Sequence, residues 1–212
     1  MEIENVEKIF NSYTKVEGDT TPCWTHNTEF DDNGFLYLKN LYEPKKLITP
    51  IPKERGLYRY SGENENEYEF SGEDQVAGST SRYWYPFYKK VHNDIRIIIE
   101  NKIGRKLYNT YYFDRFYFSG NVLLKHVDRP ACEISVSIHI SSNFSEYWPI
   151  YFESSKGQIG VNLNPGDGIL YKGCAIPHWR DPMISGENFY YHQIFFHYVL
   201  QDGYKAQHAF DR

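Results

Sequence analysis

The second half of the chain consists of short segments, rich in aromatic and β-branched residues, that turn residues interrupt at regular intervals. Segments with this composition and length are typical of β-strands. Eight of them in succession predict a jelly-roll or cupin-type barrel, and the helical patterns that precede them predict a barrel backed by helices. The predicted strands are 111–118, 122–128, 132–140, 149–153, 158–163, 168–172, 175–180 and 189–200.

The first half of the chain predicts helices and one short strand. Apolar side chains recur at helical spacing over 86–103, where Pro86 stands near the start and Gly104 follows the end, a pattern typical of a helix. Weak helical periodicity predicts a peripheral helix over 2–15, and the segment 35–41 predicts a strand.

Residues 60–80 are rich in Glu, Asn, Gly and Ser and show no periodicity, which predicts a mobile loop. Loops of this length in compact domains are often lids or binding loops. We expect one domain over 1–212, in which residues 1–107 form an N-terminal elaboration with a supporting helix and residues 108–200 form the barrel core.

Composition argues against one class of partner. The formal net charge is -5 and the sequence pI is near 5.9, with no basic stripe of the kind that neutralises phosphates in nucleic-acid-binding domains. The composition therefore disfavours nucleic acid as a partner. The aromatic share of 18% favours strands over helices.

Cysteine usage and hydropathy predict a cytoplasmic protein. Cys23, Cys132 and Cys174 form no CxxC pair and are odd in number, as expected of reduced thiols. The acidic segment 1–15 does not resemble a signal peptide. The longest apolar run, 194–200, is too short to span a bilayer, so we expect no membrane association.

Two His-x-Asp triplets are candidate metal ligands, and their contexts differ. His92 and Asp94 fall in the predicted helix, where residues two apart point away from each other; we interpret His92 as a surface residue. His126 and Asp128 fall in an extended segment, where residues two apart project from the same face. Such a pair supplies two ligands of a 2-His-1-carboxylate facial triad, which binds non-haem iron. The alternative is a structural His–Asp hydrogen bond.

The third ligand must come from another strand. We expect His178 in this role, because it follows a Pro-Gly-Asp turn and a predicted strand, and so returns the chain to the metal. His139 is too close in sequence to the first pair, whereas His192 and His197 could also serve but lie on the closing strand. The predicted iron ligands are therefore His126, Asp128 and His178.

From about residue 82 onward the chain resembles the Fe(II)/2-oxoglutarate dioxygenase superfamily, and is most similar to its prolyl-4-hydroxylase-like branch, of the kind found in viral and bacterial genomes. The likeness is carried by RFYFSGNVLLKHVDRPACEISVSI, PGDGILYKGCAIPHWRDP and QIFFHYV, in this order, and by DDNGFLYLKNLYEPKKL near the N-terminus. It implies a double-stranded β-helix, Fe(II) as cofactor and 2-oxoglutarate as cosubstrate. Related halogenases have a small residue at the carboxylate position, so Asp128 favours oxygen insertion.

The resemblance also implies that a basic residue binds the 5-carboxylate of 2-oxoglutarate. Many relatives have Arg or Lys nine or ten residues beyond the distal His, where this sequence has Glu187 and Asn188. Arg180, two residues beyond His178, should face the same cavity and could clamp a carboxylate; the alternative is a surface ion pair with Asp181. The other candidate cosubstrate-binding residues are His139, Tyr117 and Gln193.

These features together predict an oxygenase that hydroxylates an unactivated C–H bond of an amino acid, a peptide or a related small molecule, using O₂ and releasing succinate and CO₂. Two alternatives remain. A cupin-like metalloprotein with isomerase or other chemistry would not need 2-oxoglutarate. A non-catalytic β-helix binding module would bind neither iron nor cosubstrate.

Overall fold

The computed structural model describes residues 28–61, 63–184 and 186–210. It contains two α-helices, α1 (Thr28–Asn33) and α2 (Lys89–Ile103), and short 3₁₀ turns at Pro44–Lys46, Pro86–Tyr88, Pro130–Cys132 and Tyr204–His208. The strands are β1 (Phe35–Leu38), β2 (Gly56–Tyr60), β3 (Tyr68–Ser71), β4 (Thr80–Tyr83), β5 (Leu107–Phe118), β6 (Leu123–His126), β7 (Ile134–Ser142), β8 (Ile150–Ser154), β9 (Gly157–Val161), β10 (Gly168–Tyr171), β11 (His178–Arg180) and β12 (Tyr190–Leu200).

The strands form two sheets with the connectivity of a jelly roll. The larger sheet has the order β1-β10-β7-β12-β5-β4-β2-β3, and the smaller one β6-β11-β8-β9. From β5 onward the chain passes back and forth between the two sheets, and strands that are neighbours there are antiparallel. The barrel predicted from the sequence is confirmed, because each of its eight predicted segments contains or overlaps one of the strands β5 to β12.

The outer face of the larger sheet is covered by α2. Apolar residues of β7 and β12 that alternate along each strand, such as Val136 and Phe196, pack against Val91, Ile95 and Ile99 of the helix. Gly104 ends the helix with φ 68°, a left-handed conformation that glycine adopts without strain. The predicted helix over 86–103 is confirmed, and the opposite face of the sheet carries aromatic side chains such as Phe113 and Phe195 together with polar ones such as Ser135.

The prediction of a structureless loop over 60–80 is wrong for part of that segment. Tyr68–Ser71 forms β3, which pairs antiparallel with β2. The rings of Tyr68 and Phe70 lie 5.1 and 4.8 Å from that of Tyr58, and contacts of this kind between neighbouring strands stabilise a sheet. The sequence pattern missed the hairpin because the polar residues around this short aromatic segment hide its alternation.

A buried polar cluster joins three strands of the larger sheet. Arg82 on β4 donates from Nε to Asp114 Oδ1 of β5 over 3.0 Å, and His192 Nε2 of β12 donates to Asp114 Oδ2 over 2.6 Å. Burial raises the pKa of Asp114, but the Arg82 guanidinium outweighs it and the net pKa is lowered. His192 is therefore engaged on the outer face of the sheet, which excludes it as the third metal ligand.

Among the described helices, none combines the length and apolar character needed to cross a membrane. Cys132 and Cys174 are both buried and unbridged. The predicted helix over 2–15 and Cys23 lie outside the described residues.

Candidate metal centre

Two neighbouring strands of the smaller sheet bring the predicted ligands together. His178 on β11 is the register partner of His126 on β6, and Asp128 follows β6 by two residues. Asp128 Oδ1 lies 3.5 Å from His126 Nε2 and 3.7 Å from His178 Nε2. One ligand atom from each residue lies within 4.8 Å of the others, so the three side chains converge on one point.

Local hydrogen bonds fix both imidazoles in the form that binds a metal. His126 Nδ1 lies 2.7 Å from the Leu124 carbonyl, and His178 Nδ1 lies 3.0 Å from the Ile176 carbonyl. A carbonyl oxygen only accepts, so each Nδ1 must carry the hydrogen and each Nε2 presents a lone pair. Hydrogen bonds of this kind orient metal-binding histidines in general. This donor set of two neutral imidazoles and one carboxylate fits Fe(II).

The protonation states agree with this arrangement. Burial raises the pKa of Asp128, but His178 and His126 together hold it far below its usual range. Burial lowers the pKa of His178 to about 4. For His126 burial lowers the pKa, but the Asp128 carboxylate outweighs burial and the net pKa is raised. The centre therefore holds an ionised carboxylate beside imidazoles at neutral pH.

The other His-x-Asp pair is not a metal site, but the predicted surface position of His92 is wrong. His92 is 3% exposed, its Nε2 donates to the His197 carbonyl over 3.1 Å, and its ring packs on Tyr198 with centroids 4.8 Å apart. Burial lowers its pKa to about 3. Asp94 instead pairs with Lys90 on the surface of α2.

A cavity of about 390 Å³ opens beside the three ligands. Its aromatic wall crosses three strands, with the Tyr83 ring 4.5 Å from Phe113 and the Phe113 ring 4.6 Å from Phe195. Tyr117, a predicted cosubstrate residue, also lines the cavity, as does His197. The cavity is large enough for a small dicarboxylate together with part of a second molecule.

The other predicted cosubstrate residues form a buried cluster next to Tyr117. Arg180 is 1% exposed; it donates from Nη2 to Gln193 Oε1 over 2.8 Å and from Nη1 to the Trp148 carbonyl. The Tyr191 ring lies 4.8 Å from the guanidinium carbon and 4.1 Å from the His139 ring. The structure thus brings Arg180, Gln193 and His139 together, with Trp148 between Tyr117 and Arg180. Of these predicted residues only Tyr117 is among those that line the cavity, so the expectation that Arg180 faces it is not confirmed.

This cluster has unsatisfied hydrogen-bonding capacity. Among the described residues, no carboxylate forms an ion pair with Arg180, and neither its Nε nor Gln193 Nε2 has a hydrogen-bond partner. The alternative ion pair of Arg180 with Asp181 is therefore wrong, because the guanidinium points into the protein, whereas Asp181 is exposed. Buried donors without partners are costly, so a carboxylate group fits this cluster.

His139 enters this cluster in a specific tautomer. Its Nδ1 donates to the Leu163 carbonyl over 2.8 Å, and burial lowers its pKa to about 4. The neutral ring therefore presents a lone pair at Nε2, which accepts rather than donates. Glu187 and Asn188, at the positions where relatives have a basic residue, are exposed.

Sequence reasoning missed Arg115, which lines the cavity on the inner face of β5. Its Nε donates to Ser81 Oγ over 2.7 Å, and its Nη2 lies 3.2 Å from Gln75 Oε1 and 3.4 Å from Asp74 Oδ1. The alternation of Phe113, Arg115 and Tyr117 along one face of the predicted strand could have identified it. Its partners Asp74 and Gln75 could not have been found, because they lie in the segment 60–80 that predicted a loop.

No protein-family model and no curated protein matches the sequence. Solved structures do match the fold. A prolyl-4-hydroxylase from Pseudomonas putida superposes with a TM-score of 0.55 at 11% identity, over 80% of this chain and 95% of that chain. HygX from Streptomyces hygroscopicus, bound to nickel, 2-oxoglutarate and hygromycin B, superposes with a TM-score of 0.57 at 10% identity, over 81% and 85% of the two chains.

A prolyl hydroxylase from Trichoplax adhaerens, in complex with a peptide of the hypoxia-inducible factor oxygen degradation domain, gives a TM-score of 0.57 at 10% identity and covers 94% of both chains. At these identities the likeness concerns the fold. The order of the strands and these superpositions agree that the chain has the double-stranded β-helix fold found in the prolyl hydroxylases and the 2-oxoglutarate- and Fe(II)-dependent oxygenases.

Proposed function

We propose that the protein is a non-haem Fe(II)- and 2-oxoglutarate-dependent oxygenase that hydroxylates an unactivated C–H bond, with release of succinate and CO₂. The observation that carries the proposal is the convergence of His126 Nε2, His178 Nε2 and Asp128 Oδ1, with both Nδ1 atoms engaged by backbone carbonyls. A facial arrangement of three ligands leaves coordination positions for a cosubstrate and O₂.

In this proposal His126, Asp128 and His178 hold Fe(II), which with 2-oxoglutarate would supply the oxidising chemistry. The protein contributes binding, orientation and the exclusion of water. Tyr171 and Phe152 pack on the His178 ring at centroid distances of 4.8 and 6.0 Å, and both are buried. This packing holds the distal ligand in place beside the cavity, which Tyr171 also lines.

We further propose that Arg180 anchors the 5-carboxylate of 2-oxoglutarate, with Gln193, Tyr117 and His139 around it. Burying a guanidinium without an ionic partner costs free energy, and a carboxylate that binds beside it would neutralise its charge. Gln193 Nε2 could add a second donor. His139 would accept a hydrogen bond within the cluster while neutral, and would donate to the carboxylate only when protonated.

The organic substrate is proposed to be an amino acid, a peptide or a related small molecule. It would lie against the aromatic wall formed by Tyr83, Phe113 and Phe195, which suits apolar or planar groups. The range of ligands held by proteins of this fold supports the proposal, since HygX holds hygromycin B and the Trichoplax prolyl hydroxylase holds a peptide.

Anaerobic titration of the protein with Fe(II) and then with 2-oxoglutarate tests the proposal. We expect a weak visible charge-transfer band that requires both components and is missing in Asp128→Ala. Succinate formation on admission of O₂, followed across a panel of amino acids and peptides, would then identify substrates. Iron binding without the band and without succinate would contradict the proposal and favour a cupin-like metalloprotein.

A further inference from the structure

The two oxygens of Asp128 have different neighbours. Oδ1 faces the Nε2 atoms of His126 and His178, whereas Oδ2 accepts a hydrogen bond from Ser135 Oγ over 3.2 Å. Oδ1 is therefore the oxygen directed at the metal position. Oδ2 is held on the other side of the carboxylate by a residue from the opposite sheet.

Ser135 is in turn bonded to His197. Its Oγ lies 2.9 Å from His197 Nδ1 and 3.2 Å from the Cys132 carbonyl; the serine is 0% and the histidine 2% exposed. The Ser135 hydroxyl has one hydrogen, and when it is donated to Asp128 Oδ2 the neighbouring His197 Nδ1 carries a hydrogen and donates to Oγ. The hydrogen bonds run from His197 through Ser135 to Asp128.

The space around this chain of hydrogen bonds is closely fitted. Gly173 lies against it, and a Cβ atom at that position would stand 2.4 Å from Asp128 Oδ2 and 2.7 Å from Ser135 Oγ. The Gly173 carbonyl accepts from the Asp128 backbone amide over 2.9 Å. The backbone thus fixes Asp128 at one end, and the absence of a side chain at Gly173 leaves room for Oδ2 to meet Ser135.

We propose that Ser135 and His197 are positioning residues that hold Asp128 Oδ2 away from the metal, so that the carboxylate binds through Oδ1 alone. This inference rests on the proposed function. Carboxylates bind metals through one oxygen or through both, and a second bond from Asp128 would occupy a position that the cosubstrate or O₂ needs. Polarisation along the chain of hydrogen bonds strengthens the hold on Oδ2.

Binding of Co(II), used in place of Fe(II), tests the role of Ser135 without turnover. We expect Ser135→Ala to weaken Co(II) binding by roughly 10- to 100-fold, the usual effect of losing a residue that orients a metal ligand. Its Co(II) absorption spectrum should also change, because a carboxylate bound through both oxygens alters the coordination number. Ser135→Thr keeps the hydroxyl and should restore both properties. Thr80→Val is the control, since Thr80 is buried on β4, does not line the cavity, and its hydroxyl has no hydrogen-bond partner among the described residues.

Variants of His197 test the same inference independently, even if Ser135→Ala fails to fold. His197→Asn retains an N–H donor near the Nδ1 position and should keep the wild-type Co(II) spectrum, whereas His197→Phe should change it. Wild-type Co(II) affinity and an unchanged spectrum in both Ser135→Ala and His197→Phe would overturn the inference. A wild-type protein that binds neither Co(II) nor Fe(II) would instead contradict the proposed function itself.

Discussion

Each imidazole of the candidate centre is held by the backbone carbonyl two residues before it, Leu124 for His126 and Ile176 for His178. The sequence predicted these side chains as ligands from their positions on extended segments. It could not predict their tautomers, because those depend on the backbone conformation at Leu124 and Ile176. The sequence therefore identifies the ligands, whereas the fold sets the tautomer in which each imidazole can bind a metal.

Single replacement of His126, Asp128 or His178 by Ala is expected to abolish Fe(II)-dependent formation of succinate while leaving the fold largely intact, because loss of one ligand opens the facial arrangement. Succinate formation and circular dichroism would be measured side by side. Asp94→Ala is the control and should be silent, since Asp94 only pairs with Lys90 at the surface. Near-normal turnover in His178→Ala would contradict its assignment and direct attention to His197.

Replacement of Arg180 by Ala or Gln is expected to raise the 2-oxoglutarate concentration needed for half-maximal succinate formation by at least about tenfold, since losing one partner of a buried charge pair costs about 2–5 kcal/mol. Arg180→Lys should recover part of the loss, because Lys keeps the charge but lacks the planar fork. Iron affinity should barely change. Arg55→Gln is the control, since Arg55 is exposed and packs over Phe118.

The result for Arg180→Ala separates the possible anchors. An unchanged dependence on 2-oxoglutarate would remove Arg180 from this role and point to Arg115, which lines the cavity, or to His139 and Gln193. Weaker binding of the organic substrate alone would mean that Arg180 binds a carboxylate of that substrate.

At the level of elements, prediction succeeded where one face of a segment is apolar and failed where burial depends on distant partners. Along 132–140, Ile134, Val136 and Ile138 alternate with Ser135, Ser137 and His139. This pattern predicts that the apolar face of β7 meets the helix, and it does. The segment 72–79 gave no such pattern. Hydrogen bonds nevertheless hold this segment beside the cavity. Asp74 Oδ2 accepts from Ser79 and Ser81 over 2.8 and 2.6 Å, and Asp74 Oδ1 lies 3.4 Å from Arg115 Nη2.

Asp74→Asn is expected to lower the free energy of unfolding by about 3–5 kcal/mol, because it leaves the buried Arg115 guanidinium without its ionic partner. Urea unfolding would measure the loss, and limited proteolysis should show faster cleavage within 72–79. Glu73→Gln is the matched control, since Glu73 is the next residue along the chain and its carboxylate is exposed. A stability equal to that of the wild type would show that Arg115 and Asp74 contribute little to holding this segment.

For the molecule as a whole, buried neutral histidines link stability to pH. Burial lowers the pKa of His92 to about 3 and that of His139 to about 4, against an ordinary value of 6.5. The unfolded chain therefore takes up these protons at a higher pH than the folded protein does. Their contribution to stability is complete above about pH 6.5 and decreases as the pH falls towards the folded values.

His92→Gln is expected to make stability less dependent on pH, by about 1.4 kcal/mol per pH unit below pH 6, because one titrating group is removed. Gln can still donate to the His197 carbonyl that His92 bonds. Any loss of packing should therefore lower the free energy of unfolding by the same amount at every pH. Urea unfolding between about pH 7 and pH 5 measures the slope. Equal slopes for variant and wild type would show that His92 is not neutral in the folded protein. His208→Gln, at a partly exposed position near the C-terminus, is the control.

The position of β12 in the larger sheet has a consequence for the order of events during synthesis. This strand lies between β5 and β7, so the wall opposite the metal ligands stays open until residues 190–200 have left the ribosome. The ligands at 126, 128 and 178 are all synthesised earlier, yet β12 also supplies Gln193 and His197. Because pairings between distant strands form late in folding, we expect the candidate metal centre to be completed only when the chain is nearly finished.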